Sequence, residues 1–122
     1  MFVVEADTTR RLLVLSVAGT VTVEEAKETV ARVREKLEDM APGFVALADF
    51  RWLESMATAA APFIAEIMDA FAAKEVSAVV RVIPDPHRDI GLNILSPFHY
   101  GPQVRLMTFE TLADAIQALA GD

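Results

Sequence analysis

The sequence predicts one α/β domain over residues 1–122, built on a mixed sheet with strands in sequential order. An N-terminal antiparallel hairpin comes first, then parallel βα units with helices mainly on one face. Three observations predict this. Two short, apolar, β-branched segments, Phe2–Ala6 and Leu12–Val17, flank the polar turn Asp7-Thr8-Thr9-Arg10, which is a hairpin pattern. Each later strand segment is followed by a helical pattern, an alternation that calls for parallel strands and right-handed crossovers. Ser16, Arg81 and Arg105 interrupt apolar strand runs, so one sheet face is expected to be less covered than in a sheet buried on both sides.

The elements follow in order. Gly19 and Thr20 are read as the end of the second strand. Thr22, with Glu25 three residues on, forms a capping box, and Ala26, Val30, Val33 and Leu37 recur at helical spacing behind it. Pro42 and Gly43 are read as the stop. Phe44–Ala48 is a third strand closed by Asp49. Arg51–Ala57 reads as a loop into a second helix running to about Lys74, with Thr58 or Ser55 as its cap and Pro62 in its first turn. Ile64, Ile67, Met68 and Phe71 form that helix's apolar stripe. Ala78–Ile83 is a fourth strand, Asp85-Pro86 starts a short third helix, and Val104–Phe109 is a fifth strand. A last helix carries Leu112, Ala115, Ile116 and Leu119.

Composition narrows the functions. Eleven Lys and Arg against eighteen Asp and Glu leave a net charge of −7, and an acidic domain with no basic stripe repels phosphate backbones, so nucleic acid is not expected as a partner. The chain has no cysteine, which excludes disulfides, thiolate catalysis and Cys-based zinc sites. No apolar run approaches the ~18 residues of a membrane span, no leader is visible, and a cytoplasmic location is expected. Neither a G-x-S-x-G elbow nor a glycine-rich phosphate loop follows any strand. Asp85, His87 and Asp89 do not share one helix face. The expectation is therefore no enzyme activity, no metal and no cofactor.

The hairpin, the capped helix after the second strand and the βα repeats to the C-terminus resemble the STAS domain of anti-sigma-factor antagonists over nearly the whole chain. The motif segment here reads DFRWLESMATAAAP. Asp49 matches the family's strand-end Asp, and an ungapped count puts Ala57 at the motif Asp and Thr58 at the phosphorylatable Ser. Ala59 and Ala60 stand in place of the second Ser and the Gly. The sequence is thus more similar to the divergent SpoIIAA-like branch, which keeps the fold without the motif. The resemblance implies a regulatory, protein-binding domain and makes Thr58 the candidate phospho-acceptor.

The candidate partner- or ligand-binding residues are Asp49, Arg51, Trp52, Ser55, Thr58, Phe98, His99 and Tyr100. Arg51 and Trp52 follow the carboxyl end of a parallel strand, where open α/β sheets place their ligand sites, and Arg and Trp are common partner anchors; Trp52 folded back as a lid on the core is the competing reading. Ser55 and Thr58 are more simply explained as helix caps. Phe98, His99 and Tyr100 lie in the PFHYGP segment, read either as a ligand-covering loop or as a turn packed on the sheet end. The leading function is docking of an unidentified protein partner through residues 50–62. The alternative is binding of a small apolar or anionic, lipid-like ligand by the 96–102 loop and an inter-helix gap. Leu12, Val14, Val79, Ile83 and Met107, taken in phase with Ser16, Arg81 and Arg105, are expected to form an exposed sheet face that supports a weak homodimer.

Overall fold

Local sequence accounts for most of the elements of the computed structural model, which describes residues 1–83 and 103–120. Strands β1 (Phe2–Asp7), β2 (Leu12–Val21), β3 (Val45–Met56), β4 (Ala78–Val82) and β5 (Arg105–Phe109) form one sheet in sequential order. β1 runs antiparallel to β2, and the other neighbours are parallel. In the hairpin turn the Asp7 carboxylate accepts the Arg10 N–H at 3.1 Å and Arg11 takes φ +53°, the left-handed step that lets the chain reverse. The described helices are α1 (Val23–Leu37), α2 (Ala61–Ala73) and α3 (Leu112–Ala120).

The predicted cap of α1 is present: the Thr22 hydroxyl accepts the Glu25 N–H at 3.2 Å. The helix closes at Leu37, ahead of Pro42 and Gly43, because Met40 turns back into the core, where it is 2% exposed. Ala26, Val30, Val33 and Leu37 of α1 meet Ile67, Met68 and Phe71 of α2 over Leu13, Leu15, Ala46 and Val79 of the sheet. Phe44 and Phe71 pack edge to face with centroids 5.9 Å apart.

Two of the three described helices therefore lie on one face, and α3 lies on the other. Its Ala115 is fully buried with Leu47, Val80 and Val82, flanked by Leu12, Val14 and Met107. The expectation of helices mainly on one face holds for α1 and α2, while α3 covers the other. The expected exposed face is corrected. The register Leu13↔Ala46↔Val79 and Leu15↔Ala48↔Arg81 puts Val79 and Arg81 on the α1–α2 side. Leu12, Val14, Arg105 and Met107 fall on the α3 side, one residue out of phase with them. Adjacent parallel strands share a face only as their register dictates, and register is not written within a single strand.

The helix expected from Asp85 lies outside the described residues. Among the described residues no helix is long and apolar enough to cross a membrane.

Candidate functional site

The segment expected as a loop after Asp49 is strand. β3 runs on to Met56, and β2 runs past Gly19 and Thr20 to Val21 alongside it, with pairs Ala18↔Trp52, Gly19↔Leu53, Thr20↔Ser55 and Val21↔Met56. The pairing of β3 with β4 ends at Asp49↔Val82. Beyond that point β2 and β3 continue as a two-stranded arm. Between Ser16 and Ala18 the partner advances from Asp49 to Trp52, and between Gly19 and Thr20 from Leu53 to Ser55. β3 thus carries one extra residue at each step. Such bulges bend a strand and re-aim its side chains, and Gly19, on β2 opposite the second one, takes φ +71°, a conformation glycine adopts readily.

The bulges sort the arm's side chains. Phe50, Leu53 and Met56 join the core beneath α1 and α2. Arg51 and Trp52 turn outward, and Trp52 is 68% exposed, so the lid reading of this residue is replaced. Asp49, 8% exposed, holds Arg51 by a fork: its Oδ1 accepts the Arg51 backbone N–H and Nε–H, each at 3.0 Å, and its Oδ2 accepts Nη2–H at 2.9 Å. These hydrogen bonds raise the Arg51 guanidinium above its usual pKa, outweighing the opposing effect of desolvation. The guanidinium carbon lies 5.7 Å from the Trp52 ring centroid, within cation–π range. Asp49, Arg51 and Trp52 are therefore one assembly, fixed on a strand.

The sequence does not reveal what stands beside it. Ala18, paired with Trp52, donates its N–H to the Met1 carbonyl, and Val3 pairs with Ser16. Met1 and Val3, 75% and 47% exposed, thus lie on the same sheet face as Trp52, with β2 between them.

Ser55 and Thr58 cap nothing. The Ser55 hydroxyl donates to Thr20 Oγ1 at 3.1 Å across the arm. Thr58 opens a 3₁₀ turn, Thr58–Ala60, whose preceding residue is Ala57, and neither this turn nor α2 has a side-chain cap. Pro62 explains how α2 starts without one, since it removes an N–H that would otherwise need a partner. Thr58 is exposed where the arm ends, with the Ala57 N–H donating to the Val21 carbonyl at 3.1 Å. Phe98, His99 and Tyr100 lie outside the described residues.

Between the sheet and the first halves of α1 and α2 is an apolar cavity of about 50 Å³, walled by residues such as Val17, Val21, Phe50, Ile64 and Met68. Arg81, 4% exposed, borders it and donates from Nη2 to Thr108 Oγ1 at 2.9 Å. Among the described residues no three His, Asp or Glu converge as a metal site.

The order β1-β2-β3-β4-β5, with an antiparallel first pair and parallel strands thereafter, defines the SpoIIAA-like α/β fold, and the solved structures it resembles bear this out. An uncharacterized protein of the DUF3478 family with a SpoIIAA-like fold, from Shewanella loihica, superposes with a TM-score of 0.72 at 20% identity, covering 98% of this chain and 92% of that one. The anti-sigma factor antagonist SpoIIAA in its unphosphorylated form gives 0.67 at 17% identity over the full length of both chains. An anti-sigma factor antagonist from Mycobacterium paratuberculosis gives 0.62 at 21% identity, covering 98% of this chain and 93% of that one. At these identities the likeness is one of fold. No protein-family model and no curated protein matches the chain.

Proposed function

We propose that the chain is a non-enzymatic regulatory domain of the STAS type that docks a protein partner through residues 50–62, with Trp52 as the anchor. The carrying observation is the exposed Trp52 held against an Arg51 that Asp49 clamps in place. An aromatic side chain with little freedom left to lose, beside a pre-oriented guanidinium, has the composition of an interface hot spot, and the ordering cost of binding is correspondingly small. The fold supports the regulatory reading, since SpoIIAA, which shares it, is an anti-sigma factor antagonist solved in a phosphorylated form. Thr58 is the phospho-acceptor of this proposal. It is exposed at the end of the arm, and its hydroxyl has no structural duty there. A phosphate would add a charge of about −1.5 to −2 at the edge of the docking surface.

A photo-crosslinking residue placed at position 52, in cells of the source organism, tests the docking. A crosslinked protein at position 52 that is absent with the same residue at Glu38 supports it; equal labelling at both positions, or none, refutes it. Phosphosite mapping of the same material, with Thr58→Ala as control, tests the acceptor.

The cavity favours a second reading, a small apolar ligand, and its volume ranks that reading lower. A dry engineered cavity that binds benzene measures about 150 Å³; at about 50 Å³ this one takes a benzene-sized ligand only if α1 and α2 move apart.

A further inference from the structure

The apolar surface at Trp52 continues along the sheet. Among the described residues five large apolar side chains are exposed. Leu106 pairs with Val79 and faces α1 and α2. Met1, Val3, Trp52 and Ile116 lie on the α3 side. The direction of Ile116 follows from helix handedness. On the opposite face α1 runs back from the end of β2, and the residues next after its buried Ala26 and Val33 turn toward α2. These are Lys27 and Arg34, which meet Phe63 and Glu66. α3 runs back in the same sense from the end of β5, after the two residues Glu110 and Thr111. It lies on the other face, so the residue next after its buried Ala115 turns the opposite way, toward β2. That residue is Ile116, 51% exposed.

Beside that flank is a bare strip one helix wide. α3 sits over Leu47 of β3 and Val80 and Val82 of β4. Packed helices stand about 8–10 Å apart and strands about 4.8 Å, so the place next to α3 is over β1 and β2. No described helix covers it, and Val14, Ser16 and Ala18 of β2 are only half-buried there. The small Ser16 and Ala18 form a floor between Val3 on β1 and Trp52 on β3. From Leu12 to Ala18 the strip is roughly 20 Å long at 3.4 Å per residue, the length of about 13 helical residues. Its unmatched charge is acidic. Asp7 pairs with Arg10 and Asp49 with Arg51, which leaves the exposed Glu5, beside Val14, with no ion pair among the described residues. Arg32 and Lys36 border the β1 edge from the α1 side and form no ion pair with Glu5. Arg105 stands on β5, beyond α3. A second copy fits the strip poorly, because the helix it has on this face, α3, carries Asp114 and no base.

We propose, resting on the docking reading above, that the partner's docking segment is an amphipathic helix of about three turns that lies in this strip beside α3. Its apolar face covers Val3, Val14, Ala18 and Ile116, one end meets Trp52, and a lysine or arginine on its flank meets Glu5. Apolar anchors at helical spacing supply the affinity, and the base against Glu5 sets the orientation.

The test selects a phage library of helix-patterned peptides against the full chain, with apolar residues at i, i+3, i+4 and i+7 and the other positions random. The expected result is enrichment of sequences with a base at one fixed place on the flank of the apolar face. A fluorescently labelled peptide from that selection should lose at least about tenfold in affinity to Val3→Asp and to Ile116→Asp, since each sets a charge where an apolar side chain is buried on binding. Both residues are exposed in the free chain, circular dichroism checks that each variant folds, and either one serves if the other does not. Glu5→Lys should turn a fresh selection toward an acid at the place of the base. Failure to enrich any helical peptide, or a charge preference that Glu5→Lys leaves unchanged, overturns the proposal. So does a concentration-dependent dimer that Ile116→Asp dissociates, since the strip would then belong to a second copy. A peptide that needs Trp52 and is indifferent to Val3→Asp and Ile116→Asp overturns the helix site and leaves the Trp52 reading standing. A peptide sensitive to both and indifferent to Trp52→Ala supports the helix site and overturns Trp52 as the anchor.

Discussion

Leu53→Ala and Trp52→Ala, neighbours on one strand, should separate folding from docking. Leu53 is 6% exposed and belongs to the core cluster, whereas Trp52 is 68% exposed. Truncating a buried Leu to Ala costs about 2–5 kcal/mol, depending on how far the surroundings collapse into the space. Leu53 sits on the arm where β3 pairs with β2 and no longer with β4, so its surroundings relax readily and the lower part of that range, about 2–3 kcal/mol, applies. For a domain of this size about 1 kcal/mol moves Tm by about 4 °C, which gives a fall of about 8–12 °C. Trp52→Ala gives up little burial and one exposed cation–π contact, about 0.5–1 kcal/mol. Trp52 is the chain's one tryptophan, so unfolding in urea must be followed by circular dichroism to keep the variants comparable. Equal midpoints for the two variants, or a Trp52→Ala loss as large as that of Leu53→Ala, would refute the assignment of inward and outward residues on β3. It would also remove the basis for Trp52 as a partner anchor.

Other outcomes follow from the same geometry. Thr58→Ala should change stability by less than about 0.5 kcal/mol, as surface substitutions usually do, whereas Thr22→Ala should cost about 1 kcal/mol for the lost cap; paired urea titrations check both. Arg51→Ala should cost about 1–3 kcal/mol, because it leaves the nearly buried Asp49 carboxylate without its charge partner, and Arg51→Ala, Asp49→Asn should recover part of that loss in a double-mutant cycle. The Glu25 carboxyl is held below its usual value of 4.5, chiefly by its hydrogen bond to the Met1 ammonium. Its contribution to stability is thus complete above that value and is lost as pH falls through the lowered one. An NMR titration should show the depressed midpoint, and acetylation of Met1 should raise it. Gly19→Ala should destabilise by about 1 kcal/mol or more, because φ is +71° there although a Cβ would meet nothing within 4 Å; a matching loss at a neighbouring strand position of ordinary φ would remove the conformational explanation.

What the sequence determined by itself is whatever short-range patterns encode. Alternation in Phe2–Ala6 and Leu12–Val17, the Thr22–Glu25 cap and the spacing of Ala26, Val30, Val33 and Leu37 are local, and they place β1, the start of β2 and α1 with sheet order following from the βα alternation. Asp49, Arg51 and Trp52 were legible only as neighbours along the chain; the fork between Asp49 and Arg51 and the outward turn of Trp52 were not. The tertiary structure alone decided three matters, all of them contacts between distant segments. Arg51–Met56 looks like a loop in isolation and becomes strand because β2 offers it an edge. The two bulges, which turn Leu53 inward and Trp52 outward, exist only in the register between those strands. That Arg81 faces α1 and α2 while Val80 and Val82 face α3 depends on the pairing of β3 with β4, and a shift of one residue would exchange the two faces.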